Sequence, residues 1–200
     1  MLRNNKEQAF FGAPLVEFPP LGKDFIVWFC ARSDFDVPPD PEAVWQLFQR
    51  ASFRPEMLGG AADQLRFVFD LPPDEINARF AAEVESQIEL AEAEALRVVN
   101  SLTPLQSVVL RVLAARQQDF APFTAETMVS YRSVLTEVFP DETVVPDTSN
   151  VQQALSALQE KMLVWKERRG MYALEDSATA DLLQRHGMLD AVLQATPRTV

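Results

Sequence analysis

The chain has 200 residues, 48% of them apolar and 24% charged, with 18 Lys and Arg against 29 Asp and Glu for a net charge of −11. That composition excludes disorder throughout, because there is apolar surface enough to build a core, and no apolar run approaches the about 18–20 residues that span a bilayer. The acidity argues against a protein that coats nucleic acid over its whole surface. The one cysteine, Cys30, excludes an internal disulfide, and with the single His186 it cannot complete a Cys/His zinc site.

The opening Met1-Leu2-Arg3-Asn4-Asn5-Lys6 lacks the apolar run of a signal peptide, so a reducing cytoplasm and no membrane association are expected. The charge is uneven. Residues 1–100 carry 9 basic and 17 acidic side chains, a net −8, whereas residues 101–200 carry 9 and 12, a net −3. The imbalance points to two units with different work.

Residues 8–22 hold Phe10, Phe11, Leu15, Phe18 and Leu21, but Pro14, Pro19 and Pro20 prevent a helix, so residues 1–22 are expected to be an extended connector. Asp24–Arg32 is apolar nearly all round. It reads as a helix buried on more than one side, or as a buried strand, since periodicity alone does not decide. Asp40-Pro41-Glu42 opens the next helix, with Asp as N-cap and Pro at the first helical position, and Val44, Leu47 and Phe48 form its stripe. Gly59-Gly60 predicts a break, with a shorter helical piece over Ala61–Phe69. From Asp74 to Val99 there is no Gly or Pro. Ile76, Phe80, Val84, Ile88 and Ala91 share one helix face there, and the five glutamates from Glu83 to Glu94 read as a solvated face of a linker helix over 73–100.

The second half is patterned more sharply. Thr103-Pro104-Leu105-Gln106 is a capping box, followed by Leu105, Val108, Val109, Val112 and Leu113 on the stripe of an amphipathic helix. A second helix fits Ala125–Val138 with Met128, Tyr131 and Leu135 inward, stopped by Pro140. A third fits 149–162, with Ser149 opening a second capping box and Val151, Leu155, Leu158 and Met162 on its stripe. The period then changes over Leu163–Leu174, where two β-rich runs flank a polar turn at Gly170, a hairpin signal. A last helix fits Ala178–Leu193, interrupted near Gly187. Three helices and an immediate hairpin over 101–177 predict a winged helix, with residues 178–200 as a C-terminal helix and tail. The expected fold is thus mainly α: a helical bundle joined by a long helix to a C-terminal winged helix.

Catalytic chemistry is hard to find. Gly22-Lys23 is not a phosphate-binding P-loop, because the required first glycine is replaced by Glu17 and the required hydroxyl residue by Asp24. Asp70, after Phe67-Val68-Phe69, reads as an ordinary loop acid rather than a magnesium ligand. Cys30 reads as a small core hydrophobe and His186 as a polar helix end, with no third group to orient them as a catalytic pair. Binding chemistry remains. Gln152, Gln153, Ser156 and Gln159 lie off the apolar stripe of the third helix, where amides can read base edges. Ser149 sits where a helix N-terminus meets a phosphate, and Lys166, Arg168 and Arg169 load the hairpin with positive charge for backbone phosphates. Glu160 and Glu167 oppose those cations, which keeps a protein contact or plain solvent exposure open as the alternative for the same face.

Several stretches carry a family likeness: Ala9-Phe10-Phe11-Gly12-Ala13-Pro14, Leu21-Gly22-Lys23-Asp24-Phe25, Phe53-Arg54-Pro55-Glu56-Met57-Leu58, Leu102-Thr103-Pro104-Leu105-Gln106 and Gly170-Met171-Tyr172-Ala173-Leu174-Glu175-Asp176. In this order, over most of residues 9–180, the chain resembles the C-terminal part of bacterial AAA-type ATP-binding proteins related to archaeal ATPases. The resemblance implies that residues 23–72 are a helical lid and that Arg54 senses a nucleotide γ-phosphate, a task suited to a permanently charged guanidinium. It also implies an ATPase core, absent from these residues, that would hold ATP and Mg. With no P-loop or magnesium acid here, no catalysis and no bound cofactor are expected of this chain alone. The resemblance casts it as a module coupling nucleotide state to DNA or protein binding. The alternative is a free-standing winged-helix regulator or adaptor, with residues 1–99 serving dimerisation or ligand sensing.

Overall fold

The computed structural model describes residues 21–32, 39–66, 72, 75–168 and 170–195, with the backbone alone at 167 and 195. The described residues are mainly helical with one small two-stranded antiparallel sheet, and the chain divides into two compact units, Met1–Glu94 and Ala95–Val200. The expected arm up to Pro20, the Phe67–Asp70 stretch and Arg169 lie outside the described residues. Among those described, no helix is long and apolar enough to cross a membrane.

In the first unit the run after Gly22 is helix α1 (Lys23–Arg32). It forms a helix, but it is buried on one side rather than on more than one as its composition predicts. Ile26 and Cys30, one helical turn apart, enter the core, while Val27 and Trp28 on the opposite side are 55% and 52% exposed. Helix α2 (Pro41–Arg50) starts as expected: the Asp40 carboxylate accepts from the Glu42 N–H, Pro41 takes the first turn, and Val44, Leu47 and Phe48 are buried. Ser52 and Phe53 then reverse the chain in left-handed conformation, at φ +54° and +59°. The Phe53 ring meets Phe48 edge-on at 5.6 Å and lies 5.8 Å from Trp45, and its N–H donates to the Phe48 carbonyl at 2.9 Å.

Helix α3 (Pro55–Leu65) runs straight through Gly59-Gly60, so the expected break is absent. Met57, Leu58, Ala61, Ala62 and Leu65 are buried around the glycines, and their burial outweighs the about 1 kcal/mol that each glycine costs a helix. Gly60 has a packing reason, since a Cβ there would meet the Gln87 side chain at 3.4 Å; Gly59 has none, with nothing within 4 Å. Helix α4 (Ile76–Asn100) buries Ile76, Phe80 and Val84 and half-buries Ile88 and Ala91, the expected face. Its acidic run is only partly a solvated face. Glu85 makes a two-pronged ion pair with Arg50, and Glu83 pairs with Arg79 at 3.0 Å.

The second unit is organised on helix α5 (Pro104–Arg116). Both capping-box bonds form, from the Gln106 N–H to the Thr103 hydroxyl and from the Thr103 N–H to the Gln106 side chain. The helix is not amphipathic as its stripe predicts. Leu110, Ala114 and Ser107 are buried along with Leu105, Val108, Val109, Val112 and Leu113, because neighbours cover it from several sides: α6 (Ala125–Val138), α7 (Thr148–Glu160), α8 (Ala178–Arg185), α9 (Asp190–Ala195) and strand β2 (Met171–Leu174). Met128, Tyr131 and Leu135 of α6 turn inward as expected. A polar clamp joins the end of α5 to the start of α6: the Arg116 guanidinium donates to the Thr127 and Ser130 hydroxyls at 3.0 and 2.9 Å and pairs with Glu126 at 3.0 Å. Strand β1 (Val164–Arg168) pairs with β2, Val164 opposite Leu174 and Lys166 opposite Tyr172, and the register slips by a bulge before Arg168–Met171. Gly187, at φ +66°, separates α8 from α9 at the expected interruption.

Three outcomes test this packing. Gly59→Ala, at a helical position with open space, raises the unfolding free energy in urea by about 0.5–1 kcal/mol. Arg116→Met removes the guanidinium's bonds to the Thr127 and Ser130 hydroxyls, which keep the Thr124 hydroxyl and the Glu126 carbonyl as partners, and lowers it by about 0.5–1.5 kcal/mol. Burial, then the nearby Asp40 carboxylate, pushes the Cys30 thiol up to about 11 from an ordinary 9.0. A native thiol that keeps its proton to higher pH than the unfolded one contributes stability in full below pH 9, lost as pH rises towards 11. At pH 8 a thiol reagent therefore labels Cys30 about 100-fold or more slowly in the native chain than in urea, the suppression given by an opening free energy of about 3 kcal/mol.

Candidate nucleic-acid interface

Helix α7 is capped two residues earlier than a Ser149 capping box predicts. Its N-cap is Asp147, whose carboxylate accepts from the Asn150 N–H at 2.7 Å, while the Asn150 amide donates to the Val145 carbonyl at 3.1 Å. Asp147 wins because a charged acceptor satisfies the helix's first N–H groups and its dipole better than a hydroxyl. Ser149 is thereby placed inside the first turn, exposed, and the N-terminus proposed for a phosphate already holds a carboxylate.

Val151, Ala154, Leu155 and Leu158 are buried, and the helix presents the opposite side to solvent. Ser149, Gln152, Gln153 and Ser156 are exposed there, and Gln159 is half-buried. The Ser156 hydroxyl donates back to the Gln152 carbonyl at 3.0 Å, leaving its oxygen as an acceptor on the surface. The Gln152 amide nitrogen and oxygen lie 3.4 and 3.5 Å from the Tyr172 hydroxyl, contacts longer than a strong hydrogen bond.

Met162 does not continue the stripe. The helix ends at Glu160, Met162 turns the chain at φ +56°, and its side chain is 63% exposed at the corner between α7 and β1. This corner closes by the Leu163 N–H donating to the Leu158 carbonyl at 3.0 Å, which sets the hairpin directly after the helix. Lys161, also exposed there, went unnoticed in the sequence because a lysine after a helix is unremarkable by itself.

On the hairpin, Lys166 is half-buried with its ammonium 5.7 Å from the centre of the Tyr172 ring. Arg168 is exposed and donates to the Met171 thioether. Arg169 lies outside the described residues. The structure thus brings Ser149, Gln152, Gln153, Ser156, Gln159, Lys166 and Arg168 onto two packed neighbours, α7 and β1 with its partner strand. The only carboxylate on α7 itself is Glu160, at its last turn.

Arg54 belongs to the first unit. It occupies the N-cap position of α3, makes no capping bond with its side chain, and pairs with Glu56 at 3.0 Å with about a third of the side chain exposed. Of the residues weighed for catalysis, Cys30 is in the first core and His186 is an exposed residue at the end of α8. Lys23 opens α1, pairs with Glu42 at 2.8 Å and lies over the Trp45 ring, the environment of a surface cation. No three His, Cys, Asp or Glu side chains group as a metal site among the described residues.

Comparison of the chain with models of protein families, with curated proteins and with solved structures returns no match.

Proposed function

We propose that the second unit is a winged helix that docks on duplex DNA, with α7 as the helix that enters the major groove and the β1–β2 hairpin as the wing on the phosphate backbone. The observation that carries this reading is the exposed α7 face of Ser149, Gln152, Gln153 and Ser156, uncharged between the N-cap carboxylate of Asp147 and Glu160, beside a hairpin bearing Lys166 and Arg168. A glutamine amide offers a donor and an acceptor in one plane, which matches the edge of adenine. The cations are few, and the chain's net −11 repels the duplex elsewhere, so the contact is confined to this face and is weak in salt.

The family resemblance supplies the wider setting. In it the contact is coupled to the nucleotide state of an AAA-type ATPase core, ATP and Mg are held by that core, and Arg54 senses the γ-phosphate. Supporting the last role is its place at a helix start, although the half-buried guanidinium is paired with Glu56, which a phosphate would have to displace. The reading that competes is a protein adaptor using the same face, favoured by the neutral character of α7.

A mobility shift on duplex DNA at about 50 mM salt separates them. Binding is expected there, and Arg168→Ala/Arg169→Ala weakens it about tenfold or more while reducing the salt slope by about 2, roughly one per cation lost. Gln152→Ala/Gln153→Ala flattens the preference among sequences. ATP with Mg, added to this chain alone, leaves the affinity unchanged. No shift with any duplex at low salt overturns the DNA reading in favour of the adaptor.

A further inference from the structure

A pocket of about 460 Å³ opens in the second unit between the end of α5 and strand β2. Its inner wall is made by Leu113, Phe120 and Tyr172, which are 0%, 5% and 5% exposed. Gln117, Gln118 and Ser177, all exposed, stand at its mouth. None of the described residues that line it carries a charge. The volume lies within the range of sites that enclose a small organic molecule, and an apolar interior with a few polar groups at one side is the usual makeup of such sites.

A second observation points to the same place. Gln117 ends α5 at φ +45° and ψ −110°, a conformation that costs a residue with a side chain about 1–3 kcal/mol and tends to persist where a binding site needs it. Here it turns the chain off α5 into the 3-10 turn Gln117–Asp119, which sets two neighbouring glutamines at the mouth of the pocket. A continued helix would carry them onward along its axis.

We infer that this pocket binds an uncharged, mainly apolar small molecule with an aromatic ring and one or two hydrogen-bonding groups. The ring suits the wall of Phe120, Tyr172 and Leu113, and the polar groups suit the amides of Gln117 and Gln118 and the Ser177 hydroxyl. A carboxylate, phosphate or ammonium is disfavoured, because the side chains that line the pocket carry no opposite charge to offset the hydration such a group would lose there. Tyr172 and Met171, which line the pocket, also touch Gln152, Lys166 and Arg168 of the proposed DNA face, but the inference rests on the pocket's own lining and stands whether or not that face binds DNA.

The test uses N-phenyl-1-naphthylamine, an uncharged aromatic fluorophore with one N–H, titrated into the whole chain. Saturable fluorescence with one probe per chain is expected, with ¹⁵N amide shifts at Gln117, Phe120 and Leu174. Ala173→Trp and Ser177→Trp, which fill the pocket from β2 and from its mouth, each weaken the probe at least tenfold. The exposed-patch variant Val27→Ser/Trp28→Ser in the first unit leaves the affinity unchanged, and the sulfonated analogue 1-anilinonaphthalene-8-sulfonate binds at the pocket at least tenfold more weakly. Circular dichroism checks the fold of each variant, and if Ala173→Trp unfolds, the exposed Ser177 position decides. No saturable binding, equal affinity in the filling variant that folds, loss of binding in the Val27/Trp28 variant, or equal binding of the sulfonate at the pocket overturns the inference.

Discussion

Helix α5 has no solvent face, and the second unit follows from that constraint. Seven of its apolar side chains from Leu105 to Ala114 are buried, so each neighbouring element must turn an apolar side towards it, and each does: Tyr131 and Leu135 from α6, Leu155 and Leu158 from α7, Leu183 from α8 and Val192 from α9. A helix surrounded in this way removes rotational freedom from its neighbours. Once Val151, Leu155 and Leu158 face α5, the opposite side of α7 is obliged to carry Ser149, Gln153 and Ser156 outward. The surface offered to a partner is the complement of a packing decision made in the core. At the end of α5 the packing becomes polar, and Arg116 holds α6 through hydroxyls where apolar contact stops.

Local chemistry was legible where it was stronger than its surroundings. The Thr103 capping box, the bounds of α6, the Asp40-Pro41 start of α2 and the change of period at Leu163–Leu174 are all set by neighbours in sequence, and each stands where its residues put it. The misreadings share a cause. Gly59-Gly60 resembles a break only until Leu58, Ala61 and Leu65 are buried around it. The α5 pattern resembles one stripe until elements distant in sequence cover its other side. Ser149 lost the cap to Asp147 by a difference in acceptor strength between two plausible residues, and Met162 left its stripe because the helix ends at Glu160 and Met162 itself turns the chain. The pocket was not legible at all. Leu113 and Tyr172 are far apart in sequence, and nothing in Gln117-Gln118 announces a positive φ.

The candidate interface combines a neutral helix face with a small number of cations beside it. Attraction to phosphate at long range is therefore slight in a chain of net −11, and on the DNA reading discrimination would rest on fit at short range, where amide geometry matters more than charge. The same scarcity of charge makes the face usable by a protein surface. Arg54, by contrast, is already engaged by Glu56, so any anion that recruits it must compete with a carboxylate for a bidentate guanidinium.

The hairpin has one more property. Among the described residues its sheet has two strands, so both outer margins present backbone groups without a ladder partner, the arrangement through which chains stack into fibres. The slip in register between Lys166 and Arg168 bends β1 and sharpens its twist. Lys166 and Arg168 lie on the same short strand. A bent, cationic margin five residues long is a poor template for an incoming strand. The cations that the DNA reading assigns to a polyanion would thus also guard the ribbon against self-association, and replacing them with apolar residues would expose the chain to aggregation before it altered the fold.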